Sequence, residues 1–302
     1  MDGEKYISVR DFSLKYTVES AQPLTFYGDI ESGGNAISFV SGASKVFVRQ
    51  KGRKLYFRHI GPASAGSVEK ELRRRFGLDH DMRRIYESID TDPFMHSAIE
   101  KYRGMRVTLN DPWETALSFV VSQFNNVKRI RRIMKCMISR FGEQVKYDTS
   151  GVAFNKFPSY QALAEASVSD LMHCGTGFRA KYIKEIAAEL SAGFSLRAIR
   201  GMGYERAKER LMGLKGVGDK VADCILLMGY GKLEAFPIDT WVKRIVEHVY
   251  FNGGKKSVKE IHAFAQERWG KHAGYAQQYL FWHGREAKVG KRGQASGAAT
   301  EK

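Results

Sequence analysis

The chain has 302 residues, 43% hydrophobic and 12% aromatic, which is enough to build the cores of two or three domains and excludes wholesale disorder. Lys and Arg number 49 against 33 Asp and Glu, a formal net charge of +16. Such an excess draws polyanions and supplies phosphate contacts, which favours a nucleic-acid partner, although a generally basic soluble protein has the same balance.

The first 65 or so residues alternate rather than cycle. ISVRDFSLKYTV, LTFYGDI, AISFV, KVFVRQ and KLYFRHI are β-branched and aromatic runs separated by turn residues, and they predict an antiparallel sheet of about five or six strands. From about Val68 the periodicity becomes helical and stays so. Asp111-Pro112-Trp113-Glu114 reads as a helix start, with an N-cap, Pro at the first helical position and Glu three residues after the cap. Leu117, Val120, Val121, Phe124 and Val127 follow at helical spacing and predict a core face. Lys128, Arg129, Arg131, Arg132, Lys135 and Arg140 come next with no acid among them. A solvated face accounts for most such runs, but six unneutralised cations also suit a phosphate backbone.

Leu214-Lys215-Gly216-Val217-Gly218 joins one amphipathic segment (Tyr204 to Leu211) to another (Lys220 to Met228). Two glycines around an apolar residue allow a tight turn and a close approach, and the turn ends where free helix N–H groups favour a phosphate. This is a helix–hairpin–helix pattern, weak evidence alone because many helical corners use Gly for packing. Lys220 falls in the first turn of the second helix, where the dipole disfavours its protonated form; a free amine there is a nucleophile. Nineteen residues on, Phe236-Pro237-Ile238-Asp239 puts a carboxylate at the start of a further helix. Asp239 can be a cap and nothing more, or a cap that also faces a cleft.

Cys136, Cys174 and Cys224 are odd in number and far apart, which predicts no disulfide framework, zinc site or iron–sulfur cluster. MDGEKYISVR has no apolar leader and no run reaches the roughly 18 apolar residues of a span. The expectation is an intracellular, reducing compartment, cytoplasmic in a prokaryote or nuclear in a eukaryote, with no membrane partner. The tail from 288 to 302, rich in Gly, Ala and Ser, is expected to be disordered.

LKGVGDKVADC followed by FPIDTWVKR resembles the helix–hairpin–helix base-excision DNA glycosylases and, more narrowly, the 8-oxoguanine DNA glycosylase/AP lyases. SFVVSQFNNVKRI, CGTGFRAKYI and GYAQQYLF extend the similarity over most of the chain in matching order. The resemblance implies an α+β protein: an N-terminal antiparallel, TBP-like sheet domain with a connecting helical segment (1–98), packed on a two-part helical domain (99–287) with the catalytic cleft between its halves. It implies a monomer acting on double-stranded DNA that holds a damaged purine, with no cofactor and no catalytic metal, and with a monovalent cation at the hairpin carbonyls. The activity implied is excision of flipped-out 8-oxoguanine, preferably opposite cytosine, followed by β-elimination.

By that resemblance Lys220 is the nucleophile that forms a Schiff base at the sugar, and Asp239 activates it and stabilises charge on the sugar. Phe281 would stack on the flipped base and Gln277 would bond its Watson–Crick edge, with Cys224 and Met228 on the opposite wall; without the family match Phe281, Cys224 and Met228 read equally as core. The carbonyl of Ala21 would receive the N7 proton of 8-oxoguanine, although the family usually has Gly there. Arg129 and Arg179 match the arginines that read the estranged cytosine, Asn125 and Asn126 belong to the gap-filling loop, and Phe178 replaces the usual wedge Tyr. Phe124 stands where Asn is usual and Trp241 where His is common. Lys215, Gly216, Val217 and Gly218 would hold the DNA backbone. Two alternatives remain open: a glycosylase of the same architecture for alkylated or other damaged purines, and a non-catalytic helix–hairpin–helix DNA-binding protein.

Overall fold

The computed structural model describes residues 4–147 and 151–290. Most of the expected tail, 291–302, lies outside the described residues. Among the described residues, no helix is long and apolar enough to cross a membrane.

In chain order the N-terminal part comprises β1 (Lys5–Ser8), α1 (Leu14–Glu19), α2 (Pro23–Tyr27), β2 (Asp29–Ile30), β3 (Ala36–Ser41), β4 (Ser44–Lys51) and β5 (Lys54–Ile60). The five strands form one antiparallel sheet in the order β1-β5-β4-β3-β2. Its register puts Ile37, Phe39, Val46, Val48, Leu55 and Phe57 on the buried face, as period-two alternation requires. Two runs expected as strands are helices instead. Ser13 accepts the Tyr16 amide and starts α1, which buries Leu14, Thr17 and Val18; Pro23 opens α2, which is buried throughout. Five- and six-residue helices are too short to show a period, so the β-branched and aromatic content of YTV and LTFY was misleading.

The rest is helical: α3 (Ala65–Arg75), α4 (Met82–Ile89), α5 (Pro93–Lys101), α6 (Pro112–Ser122) and α7 (Val127–Phe141) lead to a small hairpin, β6 (Gln144–Tyr147) with β7 (Val152–Asn155). There follow α8 (Tyr160–Glu165), α9 (Val168–His173), α10 (Arg179–Ser191), α11 (Leu196–Ile199), α12 (Tyr204–Met212), α13 (Asp219–Tyr230), α14 (Thr240–Tyr250), α15 (Val258–Trp269) and α16 (Ala273–Glu286). The sheet and the helices share one continuous apolar core. A buried polar knot pins the join: the Arg75 guanidinium donates to Tyr27 Oη (3.0 Å), Asn110 Oδ1 (3.1 Å) and Glu114 Oε2 (3.4 Å), so the buried cation is fully partnered.

The start of α6 is as expected, with Asp111 Oδ1 accepting the amides of Trp113 (2.8 Å) and Glu114 (3.2 Å). Its end is not. The helix stops at Ser122, and Phe124, expected in the core, is 91% exposed with φ +46°. The six cations of α7 are also less isolated than their sequence suggests, because Lys135 meets Asp29 (2.8 Å) and Arg140 meets Asp170 (3.1 Å), acids supplied from elsewhere in the chain. Lys128, Arg129 and Arg132 remain exposed. Contrary to expectation, Cys136 and Cys174 are joined in a disulfide, which ties α7 to the end of α9. Two cysteines separated by 38 residues meet because the fold brings the end of α9 against α7, which spacing alone cannot disclose. Only Cys224 remains a free thiol, and it is buried.

Candidate active site

The hairpin between α12 and α13 is built as a close approach. Gly216 has φ +85°, and a Cβ there would fall 2.6 Å from the Tyr182 ring, so both backbone and space demand glycine. Its carbonyl accepts Gln123 Nε2 at 3.1 Å, which anchors the turn to the end of α6. Gly218 caps α13 without a side chain, leaving the first-turn amides available to an anion. The Lys215 and Val217 carbonyls accept no hydrogen bond among the described residues, so the turn fits the monovalent cation implied above. Lys215 itself is exposed and paired with Glu185 at 2.9 Å.

Lys220 is the second residue of α13, and Asp239 is the N-cap of α14. Both line one cavity of about 220 Å³. Lys220 Nζ donates to Ser122 Oγ at 3.5 Å and lies 4.8 Å from the centre of the Phe119 ring. Asp239 Oδ1 accepts the amides of Trp241 (2.9 Å) and Val242 (2.7 Å); among the described residues nothing donates to Oδ2. The cap thus uses one oxygen and leaves the other for the cavity.

The same cavity gathers Ala21, Asn125, Asn126, Cys224, Met228, Gln277 and Phe281. Gln277 is 6% exposed and its Oε1 has no hydrogen-bond partner, a cost of about 1–3 kcal/mol unless a ligand satisfies it. Burial pushes the Cys224 thiol up to about 12, so Cys224 itself brings no charge to the cavity. Ala21 has φ +59°, a left-handed backbone that favours glycine, and its carbonyl accepts no hydrogen bond among the described residues. Neighbours hold that conformation: buried Gln22 donates to the Arg106 carbonyl (2.7 Å) and accepts the Thr108 amide (2.7 Å), while Gln278 donates to the Ser20 carbonyl (2.8 Å).

Arg129, Arg179 and Phe178 do not line the cavity. Arg129 is exposed at the start of α7, its amide accepted by Asn126 Oδ1 at 3.0 Å and its guanidinium donating to the Gly175 carbonyl at 3.3 Å. Arg179 is 3% exposed and spends its guanidinium on backbone, with Nε to the Gln123 carbonyl at 2.7 Å and Nη2 to the Phe124 carbonyl at 3.0 Å. It supports the loop that displays Phe124. Phe178, 53% exposed, stands with its ring centre 6.4 Å from that of Phe124, so two aromatic rings share one exposed surface. Sequence reasoning missed Ser122 and Phe119 as neighbours of Lys220 and Gln22 and Gln278 as supports of Ala21; polar residues set between apolar ones in SFVVSQF, AQPL and GYAQQYLF were the available signal for Ser122, Gln22 and Gln278. Trp241, flagged only as a departure, and Arg285 also line the cavity.

Comparison with known proteins agrees in outline. The profile of HhH-GPD superfamily base excision DNA repair proteins matches residues 117–271, and that of the 8-oxoguanine DNA glycosylase N-terminal domain matches residues 6–116. A probable N-glycosylase/DNA lyase of Methanothermobacter thermautotrophicus is 32% identical over 93% of this chain and 96% of its own. The N-glycosylase/DNA lyase of Saccharomyces cerevisiae is 30% identical over 79% of this chain and 73% of its own. Among solved structures, the Clostridium acetobutylicum 8-oxoguanine glycosylase/lyase in complex with double-stranded DNA containing cytosine opposite 8-oxoguanine superposes with a TM-score of 0.85, 28% identical, covering 95% of this chain and 99% of that one.

Proposed function

The chain belongs to the HhH-GPD superfamily of base excision DNA repair proteins, within its N-glycosylase/DNA lyases, and from that premise we propose that it excises 8-oxoguanine from duplex DNA through a Schiff base on Lys220. The observation that carries the reading is the convergence on one cavity of the Lys220 amine, the Asp239 carboxylate and the unpartnered Gln277 Oε1.

In this reading the lesion swings out of the stack into the cavity, the duplex being held by the hairpin amides and by the exposed cations of α7. A monovalent cation at the hairpin carbonyls would add a point charge toward a phosphate. Phe281 stacks on the base, Gln277 Oε1 accepts from its Watson–Crick edge, and the Ala21 carbonyl accepts the N7 proton that guanine lacks. As the C1′–N9 bond breaks, Asp239 stabilises the positive charge that develops on the sugar, and the Lys220 amine bonds to C1′. Loss of an amine proton and ring opening give the Schiff base. That group acidifies the C2′ proton, whose removal expels the 3′ phosphate by β-elimination. Phe178 and Phe124 enter the duplex where the base has left. Arg129 faces the estranged cytosine; Arg179 joins that contact by giving up the Gln123 or Phe124 carbonyl.

The unpartnered Gln277 acceptor favours this reading over a glycosylase for alkylated purines, which needs an aromatic cleft rather than a hydrogen-bonding wall. Borohydride trapping on a duplex with 8-oxoguanine opposite cytosine tests it. A covalent adduct that disappears in Lys220→Gln is expected. No adduct and no strand cleavage by the parent protein, with duplex binding intact, would refute it.

A further inference from the structure

Cations set into the fold elsewhere have their partners. Lys208 Nζ lies 3.1 Å from Asp219 Oδ2 and 3.0 Å from Asp223 Oδ2, and His262 Nε2 lies 3.1 Å from Asp219 Oδ1 and 3.2 Å from Asp223 Oδ2. Burial works against an imidazolium there, but the bonds to the two carboxylates hold His262 at about 9. Arg285, in the last turn of α16, differs. It is half-buried and lines the cavity, where the other charged side chains are Lys220 and Asp239. Those two have roles in the reaction proposed above, and the positive charge of Arg285 has none. Among the described residues its guanidinium makes no ion pair and no hydrogen bond; its central carbon stands 5.8 Å from the centre of the Phe281 ring and 5.9 Å from that of Trp282. Contact with aromatic rings holds a cation without using its N–H donors, so these stay available to a ligand.

Position along α16 says what those donors would meet. Gln277, Phe281 and Arg285 follow one another at four-residue spacing, on one side of the helix and about 6 Å apart along its axis. All three line the cavity, and the row passes from buried Gln277 to half-buried Phe281 and Arg285, so it runs outward. With a base edge on Gln277 and its ring stacked on Phe281, the sugar and its phosphates fall toward Arg285. The row is about 12 Å long, comparable with a nucleotide from base edge to phosphate. A guanidinium suits the phosphate end, because its planar fork matches two phosphate oxygens and its charge is permanent.

We propose that Arg285 binds a phosphate flanking the flipped nucleotide, so that α16 holds the lesion at three points: base edge, ring face and backbone. The inference rests on the reading of Gln277 and Phe281 as contacts of the base.

The test is single-turnover excision by the full chain on a duplex containing 8-oxoguanine, measured over a range of protein concentration to give a half-saturating concentration and a maximal rate. Arg285→Met keeps a stem against Phe281 and Trp282 and removes the donors. Its half-saturating concentration should rise about 10- to 100-fold, as for a lost hydrogen bond to a charged group. Two further duplexes each carry one neutral methylphosphonate, at the 5′ or the 3′ phosphate of the lesion nucleotide. On one of them the parent should lose a similar factor and Arg285→Met should lose nothing more, which identifies the phosphate. If the parent excises the lesion but the two losses multiply on both duplexes, the proposal is overturned, because Arg285 then acts on Phe281 or on the fold. An equal loss of affinity for undamaged duplex, which places no nucleotide in the cavity, overturns it too. Should Arg285→Met lower the melting temperature, Arg285→Lys, which keeps the charge and gives up the fork, decides on the same pair of duplexes. If the parent excises nothing, the reading of the cavity itself has failed and this inference falls with it.

Discussion

Replacing Asp239 with asparagine would separate its cap on α14 from the charge stabilisation proposed for it. Its Oδ1 accepts the Trp241 and Val242 amides, and an asparagine Oδ1 can make the same two bonds. Asn and Asp are near-equal N-caps, so α14 keeps its start and loses only the charge–dipole part, about 0.3–1 kcal/mol. The reaction loses more. A carboxylate about 4 Å from positive charge on the sugar contributes about 4 kcal/mol at an effective dielectric of about 20. At about 1.4 kcal/mol per tenfold, that sets a ceiling of about 10³ in rate. Single-turnover excision should therefore fall by roughly 10² to 10³. Duplex affinity, measured by titration, should stay nearly unchanged, and the melting temperature should drop by no more than about 4 °C. A rate within about threefold of the parent, well under one kcal/mol, would refute the charge argument. So would a melting loss as large as that of Asp239→Ala, since the effect would then be the cap.

Four further outcomes are expected. Ala21→Gly relieves a residue held at φ +59° and should raise stability by about 0.5–1 kcal/mol in denaturant titration; a loss would mean that the loop is unstrained. Phe124→Ala and Phe178→Ala should each weaken binding to a lesion duplex by about 1–3 kcal/mol with melting unaffected, and unchanged affinity would show that the rings stay outside the stack. Arg129→Ala should narrow the discrimination between C and A opposite the lesion, and an equal fall for both would make it a phosphate contact. His262, held at about 9 against an ordinary 6.5, contributes stability that is fully present below about pH 6.5 and is lost as pH rises through about 9. The amount is at most about 3 kcal/mol, and denaturant midpoints of His262→Gln should lack that alkaline decline.

What the sequence disclosed follows from the range of the physics involved. The hairpin glycine, the capping aspartate and the Asp111 helix start are set by backbone rules that act over a few residues, and each stands where its spacing puts it. The alternating strands were legible for the same reason, until residues 14–27 formed helices too short to have a period. Partners far apart along the chain were not legible. Lys208 and His262 are separated by 54 residues and the bridged cysteines by 38, and no local pattern ties them. Phe124 fell between: its helical spacing placed it in the core, but the helix ended two residues earlier and turned the ring outward.

The Lys220 cavity takes part of its wall from Ser20, Ala21 and Phe26 and the rest from α6, α7, α13, α14 and α16 with the turns beside them. Neither portion of the chain lines it alone. Loosening the seam between them would spread the cavity open while leaving the turn between α12 and α13 whole, so on the function proposed above excision would fail before duplex binding does.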